Sequence, residues 1–290
     1  MLNSARGFTI PELLITSFLG LLITGLLLSV MQSNRSVLGK DIARTTLNQN
    51  LRGALDIVAA DIRVGGENLP ESVPAIEIVN GSSGASDELV VRRNLFDEVL
   101  PVCAAITAGT SSNVYFAVSG TVPGCVYSGQ MHSFNIWNVY RQQQPGQELQ
   151  AFIYDSSTRQ GEFFTVTSEI NTGVEFALVR GAGSWQNSYP VGSSAVYVLE
   201  EWRYRLQGEN LQLVQNRDSA NPFNVSFGMT DFQAEAEMQD GTVKSSFLSS
   251  DDWTEISALR ITLSGTETHG GELMARTLTG EFFPRNVLSH

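Results

Sequence analysis

The residue whose type and position most directly suggest chemistry is Glu12, the one ionisable side chain between Phe8 and Met31. A helix of about 20 apolar residues is long enough to cross the hydrocarbon core of a bilayer. An acidic side chain at the centre of such a helix costs about 2.5–3.5 kcal/mol, less near an end, and usually has a functional role. The sequence therefore predicts a membrane-spanning helix, and it predicts that the Glu12 carboxylate has a function beyond membrane anchoring.

The residues before Glu12 suggest where the chain is processed. A short polar leader containing Arg6 ends at Gly7, and Pro11 follows. Proline clashes with the carbonyl four residues before it, which here belongs to Gly7, so the Gly7–Phe8 bond is expected to be extended and open to a protease. Once Phe8 begins the chain, Pro11 lies in the first turn, where amides lack intrahelical partners anyway. A secretory signal has a shorter apolar core, and an uncleaved anchor explains neither Gly7 nor the leader.

Two pairs of neighbouring acidic residues, Glu200-Glu201 and Asp251-Asp252, are the other candidates for chemistry. Successive side chains of a strand point to opposite faces, so neither pair forms a natural two-carboxylate site. We interpret both pairs as solvated or edge charges, with calcium binding by the aspartate pair as the alternative. The chain has no serine-hydrolase, zinc-protease or phosphate-loop motif, its three histidines share no short spacing, and two cysteines exclude a Cys₄ zinc site. We expect no enzymatic activity, no cofactor and no metal.

The composition is that of a folded, acidic protein. Hydrophobic residues make up 42% of the chain and charged residues 17%, which excludes intrinsic disorder. The net charge is −12 and no basic stripe is present, so nucleic acid is not an expected partner. We interpret Trp137, Trp185 and Trp253 as core residues, and an aromatic ligand patch around one of them is the alternative.

The element that must position Glu12 is one long helix. Its apolar half covers residues 8–31, and residues 32–65 then become amphipathic. Apolar residues continue the helix and recur at steps of three and four, the period of a helix with one buried face: Val37, Leu38, Ile42, Leu47, Leu51, Leu55, Val58 and Ile62. Gly65-Gly66 is expected to end the helix. The whole helix would be about 85 Å long, with its second half packed on a globular head.

Residues 66–290 are expected to form that head, rich in antiparallel strands, which makes the fold class α+β. No strand–helix–strand alternation indicates a parallel sheet. The turn Gln207-Gly208-Glu209-Asn210 predicts a hairpin into the strand that follows it. The predicted strands are Ala75–Asn80, Glu88–Arg92, Val114–Val118, Phe134–Tyr140, Gln150–Tyr154, Glu162–Thr167, Val174–Val179, Ala195–Leu206, Leu211–Gln215, Phe232–Met238, Glu255–Leu263 and Arg276–Phe283.

The N-terminal segment resembles the class III signal of type IV pilins and type II secretion pseudopilins. The match covers the polar leader, Gly7, Phe8, Glu12 and the apolar helix after it. The resemblance implies a pilin-like fold, and a prepilin peptidase that removes residues 1–7 and methylates the new amine of Phe8. It also implies that Glu12 meets the N-terminal ammonium of a neighbouring subunit, so that each charge offsets the desolvation of the other.

The C-terminal part resembles the PilW/PulJ (GspJ-like) minor pilins. The segments that carry this likeness are Leu199–Leu206, Ile256–Leu263 and Phe282–Asn286, the last containing Pro-Arg-Asn. The size of the head favours the type IV pilus members over the secretion members, whose heads are generally smaller.

The resemblance implies a minor pilin that joins other minor subunits in the tip or priming complex and initiates type IV pilus assembly. The implied partners are those subunits, the major pilin, a tip adhesin, prepilin peptidase and the inner membrane. Before assembly the chain would cross the bacterial inner membrane once with its head in the periplasm, and afterwards it would lie at the pilus tip. The alternatives are a type II secretion minor pseudopilin and an adhesive or binding protein exported by the pilin route.

The implied topology also bears on the two cysteines. It places Cys103 and Cys125 outside the cytoplasm, in an oxidising compartment. We therefore expect a disulfide between them, worth on the order of 3 kcal/mol. Two buried free thiols are the alternative.

Overall fold

A long helix opens the fold. The computed structural model describes residues 9–120 and 122–289, and helix α1 spans Ile10–Val64. Gly65 caps its C-terminus, and Gly66 takes a φ of +80°, a left-handed conformation that glycine adopts without steric cost. A side chain at Gly66 would also overlap the ring of Trp253. The predicted end of the helix at the glycine pair is therefore confirmed.

Only the C-terminal part of α1 packs on the head. Its buried residues recur every three or four positions, which confirms the predicted apolar face from Leu47 onward: Ala43, Leu47, Leu51, Ala54, Leu55, Val58, Ala59 and Ile62. Val37, Leu38 and Ile42 belong to the same helix but are exposed, so the predicted apolar face is not buried before Ala43.

The rest of the described chain contains fifteen strands and a second helix, α2 (Met131–Gln143). Short 3₁₀ turns lie at Ser82–Gly84, Tyr127–Gly129, Pro145–Gln147, Trp253–Glu255 and Arg285–Ser289. The strands are β1 (Ile76–Val79), β2 (Glu88–Asn94), β3 (Leu100–Pro101), β4 (Val114–Ala117), β5 (Leu149–Asp155), β6 (Gln160–Asn171), β7 (Phe176–Arg180), β8 (Ser194–Tyr197), β9 (Leu199–Gln207), β10 (Asn210–Gln215), β11 (Phe223–Phe227), β12 (Met229–Met238), β13 (Val243–Lys244), β14 (Ile256–His269) and β15 (Glu272–Phe282).

The strands form three sheets. Their orders are β1-β2-β9-β10-β11, β13-β12-β14-β15 and β3-β8-β5-β6-β7-β4. Every pair of neighbouring strands in these sheets is antiparallel. The predicted α+β class, a long helix packed on antiparallel sheets, is therefore confirmed, and so is the hairpin that joins β9 to β10.

The head is built around two hydrophobic cores. The first core lies among α1, the five-stranded sheet and the four-stranded sheet, and the second lies against the six-stranded sheet and α2. Residues 95–198 carry the whole six-stranded sheet, yet they are inserted between β2 and β9, which are neighbours in the five-stranded sheet. We call residues 95–198 the inserted lobe.

Strand β5 connects the two cores. Ala151 and Ile153 face the second core, whereas Phe152 and Tyr154 belong to the first. This division follows from the period of two along a strand. The inserted lobe therefore packs against the rest of the head through one face of its own sheet.

Two predictions of secondary structure are wrong. Phe134–Tyr140 is part of helix α2 and not a strand. The helix buries Ser133, Trp137 and Arg141, which are four residues apart and share one face. The aromatic and β-branched residues of this segment are typical of strands, but packing of Trp137 in the second core decides the outcome.

The strand predicted over Ala195–Leu206 is interrupted at Val198. Its first part, β8, belongs to the six-stranded sheet, and its second part, β9, to the five-stranded sheet. The carbonyl of Val198 accepts a 2.9 Å hydrogen bond from the amide of Leu95. The chain thus enters and leaves the inserted lobe at adjacent points.

Candidate functional site

The feature that most constrains function is the part of α1 outside the head. Every residue from 10 to 38 is exposed, and we call this segment the free helix. It is about 43 Å long at 1.5 Å per residue. Its most apolar window has a mean hydropathy of 2.4 and none of that window is buried. By length and composition the free helix is a candidate membrane span, and its apolar side chains need cover from outside this chain.

Glu12 lies in the first turn of the free helix. Its carboxylate accepts hydrogen bonds from the backbone N–H of Thr9 at 3.3 Å and from the Thr9 hydroxyl at 3.1 Å. An acidic residue three positions after a threonine cap supplies an acceptor for an unpaired amide and complements the positive end of the helix dipole. Within the described chain, Glu12 is therefore held by its own helix terminus.

Three hydroxyl groups in the first half of the free helix are hydrogen-bonded to carbonyls of the helix itself. Thr16 donates to the carbonyl of Glu12 at 2.9 Å, Ser17 to that of Leu13 at 2.8 Å, and Thr24 to that of Gly20 at 2.8 Å. Such bonds lower the cost of placing hydroxyls in an apolar surrounding. Glu12 is the one ionisable side chain of residues 9–31.

The free helix ends where the β14–β15 hairpin meets α1. The imidazole of His269 occupies the space that a side chain at Gly39 would fill. Next to this contact Lys40 forms an ion pair with Glu272 of β15. These contacts attach the tip of the hairpin to the helix just before the buried face begins.

The residues expected at the cleavage site, Gly7 and Phe8, lie outside the described residues. Their roles, including methylation of Phe8, rest on the sequence alone.

No family model, curated protein or solved structure matches this chain. Membership of the pilin family therefore stays a prediction, carried by the pattern from Gly7 to Glu12 and by the exposed apolar helix that follows it.

The C-terminus of α1 is fixed by a residue of the Pro-Arg-Asn segment. The side-chain amide of Asn286 donates to the carbonyl of Val64 at 3.3 Å and to that of Gly65 at 3.1 Å. The last carbonyls of a helix have no intrahelical partner, so these bonds replace solvent there. The sequence marked this segment only by resemblance, and the structure gives it a physical role.

A second attachment of α1 joins it to β9. The Tyr204 hydroxyl donates to the carboxylate of Asp61. Burial, followed by the charge of Asp61, raises the pKa of Tyr204, and burial raises the pKa of Asp61 despite the hydrogen bond that it accepts. The helix is therefore held on the sheet by a buried polar contact as well as by its apolar face.

The interpretation of Glu200-Glu201 as solvated or edge charges is wrong for Glu201 and holds for Glu200. Glu201 is fully buried and accepts a 2.7 Å hydrogen bond from Nε of Arg92. Burial opposes its charge, but Arg92 and Arg217 outweigh that effect and hold the pKa of Glu201 below its ordinary value. Glu200 points to the opposite face, where it accepts a 2.8 Å bond from Arg93. These partners could not be predicted from the sequence, because Arg92 and Arg93 lie on β2 and Arg217 lies in the loop after β10.

The aspartate pair has two separate structural roles. Asp251 is paired with Lys244 at 2.9 Å, and Asp252 accepts a 2.9 Å bond from the amide of Thr254. Across residues 9–120 and 122–289, no group of three His, Cys, Asp or Glu side chains is placed to hold a metal ion. The aspartates therefore act as a surface ion pair and a turn cap.

The tryptophans are core residues. Trp137, Trp185 and Trp253 are each at most 1% exposed, so the alternative of an aromatic ligand patch around them is wrong.

The cysteines form a disulfide within the inserted lobe. Cys103 is bonded to Cys125, and the amide of Cys103 donates to the carbonyl of Tyr115 at 2.7 Å. The disulfide joins the chain segments on either side of β4. The alternative of two free thiols is therefore wrong.

Proposed function

We propose that the protein is a minor pilin that joins other minor subunits in the tip or priming complex and initiates type IV pilus assembly. The single observation that carries this proposal is the free helix, an exposed apolar rod attached to a large folded head. A soluble protein rarely exposes a contiguous apolar surface of this size. Lipid would cover it before assembly, and the helices of neighbouring subunits would cover it afterwards.

Glu12 gives the proposed assembly its register. Cleavage before Phe8 would place a new ammonium group close to the depth of the Glu12 carboxylate in an adjacent subunit. The hydrogen bonds from Thr9 would then be exchanged for a charge pair between subunits. A subunit docked out of step would leave two unpaired charges in an apolar surrounding, which is strongly unfavourable.

The inserted lobe supports a position at the filament end. It adds residues 95–198 to a head that already contains two sheets and a complete core. A head enlarged in this way would clash with copies of itself in a repeating filament, but it fits once at a tip.

The first test is the processed terminus and its carboxylate. We expect mass spectrometry of the chain from sheared filaments to give a methylated Phe8 as the first residue. We expect Glu12→Ala to reduce incorporation about tenfold or more, because an unpaired ammonium in lipid costs several kcal/mol. Ser17→Ala is the matched control, since this hydroxyl is bonded within its own helix. A chain that retains residues 1–7, or a Glu12→Ala variant incorporated like wild type, would contradict the proposal.

The second test separates the proposal from its alternatives. Deletion of the gene should abolish surface pili, and the full-length gene should restore them. Loss of enzyme secretion with intact pili would instead indicate a type II secretion pseudopilin. Intact pili that lack one adhesion phenotype would indicate an adhesive protein exported by the pilin route.

A further inference from the structure

A cavity at the junction between the inserted lobe and the first core takes no part in the proposed assembly. It has a volume of about 240 Å³, and its walls come from segments that are distant in sequence. Arg92 and Glu77 line it from the five-stranded sheet, Arg217 from the loop after β10, and Tyr154 and Arg159 from the inserted lobe. We call it the arginine cavity.

One wall of the arginine cavity carries a buried polar atom without a partner. Tyr154 is 3% exposed, and its hydroxyl makes no hydrogen bond within the described chain. A buried hydroxyl without a partner loses roughly 1–3 kcal/mol relative to one that is hydrogen-bonded. The Tyr154 hydroxyl is therefore a donor that a ligand in the cavity would engage.

Two of the arginines are presented by strained backbone. Arg159 has a φ of +56° and Arg217 a φ of +64°, values at which side chains other than glycine, asparagine and aspartate are uncommon. The turn that carries Arg159 is held by Asp155, whose carboxylate accepts bonds from the hydroxyls of Ser157 and Thr158. Strained positions of this kind concentrate at functional sites, and here two of them line one cavity.

One of the three arginines around the cavity, Arg159, forms no ion pair with a carboxylate of the described chain. Arg92 donates to Glu201 and Glu77, and Arg217 donates to Glu201 at 3.3 Å. Within the described chain, the one hydrogen bond of the Arg159 side chain is a 3.5 Å contact with a backbone carbonyl. Of the three arginines, Arg159 is therefore the one that forms no ion pair within the described chain.

Acidic groups outside the cavity lie near Arg159 without forming an ion pair with it. Asp155 holds the turn that carries Arg159, and Glu71 and Asp252 line a neighbouring hollow with Arg159. Asp251 also acts electrostatically on Arg159, but it is itself paired with Lys244 at 2.9 Å. A carboxylate in the cavity would therefore give Arg159 the ion-pair partner that it lacks within the described chain.

We propose that the arginine cavity binds a small organic monocarboxylate. Arg159 and Arg217 hold the two oxygens of the carboxylate, and the Tyr154 hydroxyl donates to one of them. Guanidinium groups suit this role because their planar donors match the geometry of a carboxylate and stay charged at every physiological pH. The inference is independent of the proposed role in pilus assembly, because no residue of the free helix takes part in it.

The experiment is a titration of the full chain in detergent micelles. Binding is measured by isothermal titration calorimetry and by NMR of the arginine Nε–H signals. The probes are propionate and propionamide, which have nearly the same shape and differ in charge. We expect saturable binding of propionate with shifts at Arg159 and Arg217, and no saturable response to propionamide. Sulfate, a dianion, should bind more weakly than propionate because the site carries a single unpaired positive charge.

Variants assign the binding to the cavity. Arg159→Gln should weaken propionate binding about tenfold, the effect of losing one charge-assisted hydrogen bond. Tyr154→Phe keeps the packing of the ring and should weaken binding about threefold or more. Arg63→Gln, at an exposed position on α1 outside the cavity, is the control and should bind as wild type does.

Several results would overturn the proposal. Equal responses to propionate and propionamide would mean that charge does not select the ligand, and tighter binding of sulfate would exclude a monocarboxylate site. Propionate binding that persists in Arg159→Gln would place the ligand elsewhere. No binding by wild type would mean that water fills the cavity, and this outcome decides the question even where a variant fails to fold.

Discussion

Arg92 of β2 and Glu201 of β9 are direct cross-strand partners, and their side chains meet at 2.7 Å with 3% and 0% exposure. The next pair in register, Arg93 and Glu200, lies on the opposite face and is partly exposed. The same two strands therefore carry one buried and one solvated ion pair of identical composition. The buried pair lies at the junction of the inserted lobe and the first core, which makes it a structural element of that junction.

Removing the buried carboxylate should be far more costly than removing its neighbour. Glu201→Gln leaves Arg92 buried with Glu77 as its one remaining carboxylate partner, and we expect the free energy of unfolding to fall by about 3 kcal/mol. Glu200→Gln is the matched control and should cost about 1 kcal/mol or less, because its ion pair is accessible to water. Urea denaturation, monitored by tryptophan fluorescence, measures both free-energy changes. Equal losses in the two variants would contradict this role for burial.

Acid should destabilise the head by protonating two carboxylates, those of Glu201 and Asp155, whose pKa values are lowered in the folded protein. The pKa of Glu201 is held below its ordinary value. Although burial opposes the charge of Asp155, hydrogen bonds from Ser193, Thr158 and Ser157 lower its pKa to about 2. A carboxyl with a lowered pKa stabilises the fold above its unfolded-state pKa, and this stabilisation is lost as pH falls through the folded-state value.

The unfolding temperature should therefore be nearly constant above about pH 5 and fall between about pH 4 and pH 2. Asp155→Asn should start lower at neutral pH and lose less on acidification. A profile of Asp155→Asn that runs parallel to wild type down to pH 2 would show that Asp155 is not responsible.

The disulfide should stabilise the inserted lobe locally. A Cys103→Ser/Cys125→Ser variant lacks the cross-link over a separation of 22 residues, and we expect a loss of about 3 kcal/mol. In hydrogen exchange, amides of β4 and β7 should lose protection, whereas amides of α1 between Leu47 and Ile62 should keep theirs. Reduced wild type is the control and should match the variant. Equal loss of protection in both cores would mean that the head unfolds as one unit.

Asn286 should contribute to the attachment of α1. Asn286→Ala removes both hydrogen bonds to the last carbonyls of the helix, and we expect a loss of about 1–2 kcal/mol. Asn135→Ala, an exposed asparagine on α2, is the control. The measurement is urea denaturation. An effect no larger than that of the control would show that solvent replaces these bonds without cost.

The sequence was most informative where a pattern is local. The buried face of α1 follows from the spacing of Leu47, Leu51 and Ile62, and its end follows from Gly65-Gly66, because helix periodicity and glycine conformation act over a few residues. The helix at Phe134–Tyr140 could not be predicted in this way. Its aromatic residues fit a strand equally well, and the contacts of Trp137 with distant strands decide between the two.

Long-range pairing accounts for what the sequence did not reveal. The apolar run Ala195–Leu199 crosses Val198 with no glycine, proline or other turn residue, so nothing local shows that β8 and β9 join different sheets. Glu201 and Arg92 are likewise distant in sequence, as are Arg159 and Arg217 of the arginine cavity. These groups meet only because the inserted lobe begins and ends on adjacent strands.

The contact of His269 with Gly39 has a further geometric consequence. Gly39 lies about 12 Å along the helix from Met31, where the apolar stretch ends. In a bilayer, the headgroup layer on each side of the hydrocarbon core is about 5–8 Å thick. If a bilayer covered the apolar stretch as far as Met31, the contact between His269 and Gly39 would therefore lie beyond the headgroup layer, and the hairpin would brace the helix outside the lipid.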